Sequence, residues 1–509
     1  MTGTRACAAS ALVILVAGCN AQPEVRRLTM LQGLGFDLAR QAAPAQMASD
    51  TFETLSSRRG VLELRLVAAE TPVTLGGKTF PMMTWNGSYL PPVLRVNPGD
   101  TLRLNLVNRL PHGRVTNVHF HGTTVSPKAP SDDIFPMIHS DSSYDYRVVF
   151  PSAHDRGLFW YHPHPHGGSE AQVKAGMSGV LIVEGQLEQN YPWLQNVPER
   201  ILMLKAYLPP GHEDGKAATK NINGRASYTT TIRPGELQYW RVANIAADAF
   251  FNLRIDGTRM WQIARDANPL RAPEAVDSIF LPPGTRAEVL VLGGAPGRYT
   301  IRHSTVSLGP AGDPNPPVVL GTLVSQGAAM DRSADVARLT ATRELPFPVS
   351  SINGILNHPV TNRRTFTFSE SSDGRSFFIN GKQFDPNRVD TRVRLGDVEE
   401  WTLVNATGEM HNFHIHQTKF LVTEINGVRR LPDRIHDTMN LPFAVNGKPG
   451  VVKILVSFTD PNIVGRFVYH CHILEHEDGG MMAVIQVDPA DAIQSDRISR
   501  SDRHASLHR

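Results

Sequence analysis

Apolar and polar positions alternate along three stretches that share one phrase. Asn86-Gly87 leads to VNPGDTLRLNLVN (residues 96–108), Asn223-Gly224 to IRPGELQYWRVAN (232–244) and Asn380-Gly381 to VRLGDVEEWTLVN (393–405). In each copy a Gly-centred turn precedes residues that point alternately inward and outward, as Leu102, Leu104 and Leu106 do in the first. That alternation predicts a half-buried strand. The copies start 137 and 157 residues apart, a domain length and not a solenoid period. Three consecutive β-sandwich domains are predicted, at 59–187, 188–345 and 346–490. Their ends echo one another as GLFWYHPH (157–164), GRYTIRH (297–303) and GRFVYHCH (465–472), and the middle copy lacks the paired histidines. Residues 20–58 read as a leader, 330–343 as a helical or irregular connector, and the Ser-, Asp- and Arg-rich tail 491–509, with His504 and His508, as disordered.

At 509 residues the chain is too long for one hydrophobic core. A net charge of +3, from 51 basic and 48 acidic residues, gives no reason to expect a nucleic acid or a strongly anionic partner. Cysteine says more, because there are only three: Cys7, Cys19 and Cys471. Arg5, the apolar run 8–17 and the small residues that follow read as an export signal over 1–19, too short to cross a bilayer. Val16-Ala17-Gly18-Cys19 resembles the lipobox of bacterial lipoproteins, which predicts a periplasmic or cell-envelope protein lipid-anchored at Cys19. An ordinary signal cut after Ala21 is the alternative. With Cys19 lipidated, Cys471 has no disulfide partner, so an exported chain of this size depends on its cores or on metal.

Ten of the 20 histidines fall into four clusters, all in the first and third copies: His119 and His121; His162 and His164; His411, His414 and His416; and His470, His472 and His476 around Cys471. On a strand, residues i and i+2 share a face, so each H-x-H pair offers two imidazoles to one place. A lone thiolate with two imidazoles and a thioether is the soft, mixed set of a blue-copper site. Cys471, His411 and His476 supply it, with Met481 or its neighbour Met482 as the axial sulfur. Structural zinc favours several cysteines in C-x-x-C spacing, which this chain does not have. The eight histidines left over fit three coppers sharing ligands. Half come from each outer domain, so the cluster must lie between them, and the copper-free middle domain is left with spacing and part of the substrate-facing surface. Neighbours of Cys471 leave the strand on the opposite face, so the segment 470–472 joins a one-electron site to an O2 site over about 10 Å.

These clusters, above all His-x-x-His-x-His from 411 and His-Cys-His-x3-His-x4-Met from 470, resemble the signature of the multicopper oxidases, the family of laccases, ascorbate oxidase, ferroxidases and cuprous oxidases. The resemblance runs from about residue 59 to 488. It implies an all-β fold of three cupredoxin-like Greek-key sandwiches and four coppers. His411, Cys471, His476 and Met481 would be the type 1 ligands and His119 and His414 the type 2 pair. His121, His162 and His472 would hold one type 3 copper, and His164, His416 and His470 the other. Glu477 and Asp132 fall where relatives place proton-relay acids, with Asp133 the alternative to Asp132. His112, His139, His154 and His166 fall outside the template. The implied partners are O2 and a small reducing substrate, and the implied state is a monomer. No Met-rich insert is present, and Met82-Met83 reads as core, so phenols or aromatic amines are favoured over Cu(I), Fe(II) or Mn(II). A non-catalytic module on the same scaffold and a copper-buffering lipoprotein are the readings from other classes.

Overall fold

The structure, a computed structural model, describes residues 26–27, 52–208 and 218–490. The export signal, Cys19 and the tail with His504 and His508 lie outside the described residues. Six sheets pair into three sandwiches. In each, the strand of the repeated phrase lies in the middle of a sheet, parallel to the strand that opens the sandwich. Thr101–Arg109 runs beside Val61–Leu75, Leu237–Asn244 beside Glu199–Tyr207, and Val398–Asn405 beside Val360–Glu370.

The repeat persists at atomic detail. Asn86, Asn223 and Asn380 have φ of 53°, 50° and 52°, and the glycine after each is also left-handed, which Asn-Gly tolerates at little cost. Each Asn Oδ1 accepts a backbone N–H from the opening strand, of Val67, Met203 and Thr367, at 2.8 Å in all three copies. The asparagine that ends each phrase, Asn108, Asn244 or Asn405, accepts the N–H two residues on. Every sandwich has its own apolar core, centred on residues such as Leu104 and Phe120, Val242 and Leu253, or Trp401 and Phe413. Met82 is buried between the first and second sandwiches and Met83 packs on the first core.

Two stretches differ from the expectation. Within the expected leader, Thr54–Ser56 pairs with Val93–Val96 and Arg26–Arg27 with Ser142–Val149 at the edges of the first sandwich. Such short, largely polar edge strands leave no alternation to read. Between the second and third sandwiches run two helices, Ser333–Ala341 and Pro346–Leu356, the second inside the range given to the third domain. Among the described residues no helix is long and apolar enough to cross a membrane.

Candidate metal centre

Strand alternation sorts the candidate ligands of the third sandwich onto two faces. His411–Ile415 pairs antiparallel with Gly465–Cys471, with Phe413 opposite Cys471 and His414 opposite His470. His411 and Cys471 therefore face the sandwich core, where Cys471 is fully buried among Phe413, Ile415 and Tyr469. His414, His416, His470 and His472 leave from the other face, towards the first sandwich. There the edge strand His119–His121 pairs with Gly157–His162, placing His119 opposite His162.

On the core face, Cys471 Sγ lies 3.7 Å from Nδ1 of both His411 and His476, and the two nitrogens are 3.0 Å apart. The other ring nitrogens are already engaged. His411 Nε2–H donates to Thr407 Oγ1 at 3.0 Å, and His476 Nε2 is 3.2 Å from Glu409 Oε1. Two nitrogen lone pairs and a sulfur thus converge with no N–H between them. The point equidistant from all three lies about 2.0 Å from each, the length of an imidazole–metal bond. Burial holds His411 down to about 3 and pushes the Cys471 thiol up to about 12. Neutral imidazoles suit a metal, and a bound cation takes the place of the thiol proton. Met481 is fully buried in the same core and its carbonyl accepts the Cys471 N–H at 3.0 Å, whereas Met482 packs with Ile134, Val468 and Val484 on the opposite side.

Between the outer sandwiches all eight remaining imidazoles meet. His119 stacks on His416, and His121 on His414, each pair at 3.8 Å between ring centres and each joining the two ends of the chain. His470 Nε2 is 3.1 Å from His416 Nε2 and 3.4 Å from His164 Nε2, while His472 Nε2 is 3.1 Å from His121 Nδ1. The outward nitrogens are pinned: Nδ1–H of His162, His414 and His470 donates to the carbonyls of Pro163, Asp437 and Cys471 at 2.8–2.9 Å. Nε2 of His119, His162 and His414 is left inward, buried and without a hydrogen-bond partner. Burial, reinforced by the neighbouring rings, drives His121, His162, His164, His414, His416 and His472 well below the ordinary histidine value. A concentration of neutral nitrogen donors, short of protons, fits a cluster of cations.

The two predicted acids lie against this cluster. Glu477 is buried, 3.0 Å from His470 Nδ1 and 3.5 Å from His164 Nδ1. Asp132 accepts from His119 Nδ1 at 3.1 Å, from the Phe120 N–H at 3.0 Å and from Gln417 Nε2 at 2.8 Å. Asp133 instead accepts the Phe135 N–H. His154 is buried and accepts the Thr124 N–H, while His139 is exposed.

Four contacts escape a reading of the sequence: Glu409 at His476, Asp437 at His121 and His414, the buried Arg286 paired with Asp437, and Gly284 against His472. The last two belong to the middle sandwich, which therefore does more than space its neighbours. Only the brief turn PPGTR announces them, and nothing in it points to metal.

Family models described as multicopper oxidase match residues 67–188, 160–328 and 357–491, well over half of the chain in all. The chain belongs to the multicopper oxidase family. Membership makes it a copper-binding oxidoreductase. Its relatives include the multicopper oxidase mco of Staphylococcus haemolyticus, 28% identical over 422 residues, 79% of this oxidase and 83% of that protein. The cell division protein FtsP of Edwardsiella tarda is 27% identical over 497 residues, 91% of this chain and 99% of that one. Among solved structures, a multicopper oxidase from Campylobacter jejuni, described as a metallo-oxidase, superposes with a TM-score of 0.71 at 24% identity, covering 86% of this oxidase and 94% of that chain.

Proposed function

We propose that this oxidase couples four one-electron oxidations of a small, positively charged donor to the four-electron reduction of O2 to water. The observation that carries the reading is the completeness of the donor set: His411, Cys471 and His476 converge on one point while eight imidazoles converge on another. Met481 completes the first. That completeness weighs against a purely structural role, although one relative carries a cell-division name. Four coppers held by these twelve residues supply one-electron transfer at the first site and O2 reduction at the second.

The chain's own part is to hold, insulate and supply protons. His470-Cys471-His472 joins the two sites through covalent bonds alone, with the sulfur on one face and both rings on the other. Glu477 is placed to hold a proton beside His470 and His164, and Asp132 to orient His119. The eight imidazoles of the cluster are at most 1% exposed, which shields the site they surround from bulk water.

The donor class follows from a cavity of about 660 Å³ that ends on His476 and Glu409. Asp248, Asp313, Glu370, Asp373, Glu409 and Glu475 line it, with no lysine or arginine among the described residues. Burial and mutual repulsion push Glu409 up to about 9 and Glu475 up to about 7, a strain that a bound cation relieves, which favours Cu(I), Fe(II) or Mn(II) over the neutral phenols that the sequence alone suggests. Phenols or aromatic amines remain the second reading, because Phe250 and Phe377 give the cavity an apolar wall and Phe377 stacks on His476 at 4.2 Å. O2 uptake by copper-loaded protein with each metal ion and with a phenolic dye tests both. Faster turnover of a metal ion is expected; phenol-only turnover transfers the assignment to the second reading, and no O2 uptake with any donor overturns both. A lipid-anchored envelope location and a monomeric state belong to the same proposal, checked by the mass of the mature N-terminal peptide and by light scattering.

A further inference from the structure

Among the described residues the middle sandwich contributes no candidate metal-ligating side chain to either site, yet it sends one guanidinium to the edge of the imidazole cluster. Arg286 and Asp437 are both fully buried and form a two-pronged pair, Nη1 to Oδ1 at 2.9 Å and Nη2 to Oδ2 at 2.6 Å. Arg286 also donates through Nε to the Leu158 carbonyl of the first sandwich at 3.1 Å and through Nη1 to Gly284 O at 3.0 Å. One side chain thereby ties all three sandwiches together beside the cluster.

Asp437 passes that fixation on to two rings. Its carbonyl accepts Nδ1–H of His414 at 2.8 Å, which leaves His414 Nε2 inward. Its carboxylate accepts Thr438 Oγ1–H at 2.8 Å and lies 3.6 Å from His121 Nε2, with Thr438 Oγ1 3.4 Å from the same nitrogen. His121 is thus turned the other way, with Nδ1 inward against His472. His121 and His414 are one of the two stacked pairs that close the cluster across the two ends of the chain. The backbone is shaped to admit the ion pair here. Gly122, directly after His121, has φ +82°, and a Cβ on it would lie 2.5 Å from both Arg286 Nη2 and Asp437 Oδ2.

We propose that Arg286 is a positioning residue for the cluster, fixing through Asp437 which nitrogen of His121 and of His414 faces inward. The proposal rests on the reading of the eight imidazoles as copper ligands. Lysine is not an equivalent, since a single ammonium cannot span both carboxylate oxygens and the Leu158 carbonyl in one plane. Partners that orient metal-bound histidines are worth about 10- to 100-fold in metal affinity.

The test uses copper-loaded, full-length protein, with Arg286→Lys and the doubly neutral Arg286→Met/Asp437→Asn, which removes both members of the two-pronged pair together; the buried Asp266, 3.5 Å from Arg286 Nη1, keeps Arg265 at 3.9 Å. The readouts are the type 2 electron paramagnetic resonance signal relative to the blue type 1 signal, and copper retention against a chelator. Both variants are expected to keep the blue band, to show an altered or depleted type 2 signal, and to lose cluster copper about 10- to 100-fold more readily, with Arg286→Lys the milder. A wild-type type 2 signal and wild-type retention in both overturn the inference. So does loss of the blue band in step with the type 2 signal, which would make the pair general scaffolding. Wild-type protein that binds no cluster copper would instead defeat the ligand reading itself.

Discussion

Cys471 faces one site while its neighbours face the other, so removing its sulfur should separate the two. Cys471→Ser is expected to abolish the blue band and turnover while most cluster copper stays bound, as read by absorption and metal analysis. Glu409 sits between the donor cavity and His476 Nε2. Burial and the nearby Glu370 push Glu409 up to about 9, so a bound cation would draw off its proton, which an amide cannot match: Glu409→Gln is expected to raise KM for a cationic donor by up to about tenfold and to leave KM for a neutral phenol nearly unchanged. At this scale the grouping of the candidate ligands was legible because a two-residue spacing on a strand announces a shared face. Glu409, Arg286 and Asp437 were not, because their meaning lies in partners that the fold, not the local sequence, brings near: Arg286 and Asp437 are 151 residues apart.

Each sandwich opens with a strand that the phrase strand joins in parallel, and the Asn-Gly turn before the phrase stitches itself back to that strand. The three turns were readable because few residue pairs tolerate two successive left-handed positions. Asn380→Ala removes the bond to the Thr367 N–H and strains a φ of 52°, for a loss of about 1–2 kcal/mol. A lowered unfolding temperature with unchanged spectra of both metal sites is the outcome expected by differential scanning calorimetry. Gly284→Ala should reach the cluster as well as stability, since its φ is +80° and the new Cβ would lie 3.0 Å from the His472 ring. Cluster signals should weaken while the blue band persists. The leader strands were illegible for the converse reason: two or three residues at a sheet edge have no period, and their pairing is decided by what the sheet leaves open.

Across the whole molecule, the buried imidazoles set how the copper-free protein responds to acid. His121, His162, His164, His414, His416 and His472 are held well below the ordinary value, and His154 at about 4. The unfolded chain therefore binds more protons than the folded one below pH of about 6.5. Stability is whole above that pH and falls as the pH drops through it. Thermal unfolding of copper-free protein at pH 5 and pH 7 should show the lower midpoint at pH 5, and bound copper should raise both midpoints without narrowing the difference, because metal-bound nitrogens take up no protons while those of the unfolded chain still do.

The stacked rings of His119 on His416 and His121 on His414 join residues almost 300 positions apart in the chain. Neither end of the polypeptide owns the complete set of inward nitrogens of the imidazole cluster, so on the proposed reading its metal would be captured only by a fully synthesised, closed molecule, whereas the Cys471 site lies within the last sandwich alone. Once captured, the ions act as a clasp: each adds binding energy to the closed arrangement alone, and stripping them should loosen the seam between the first and last sandwiches before it disturbs either sandwich itself.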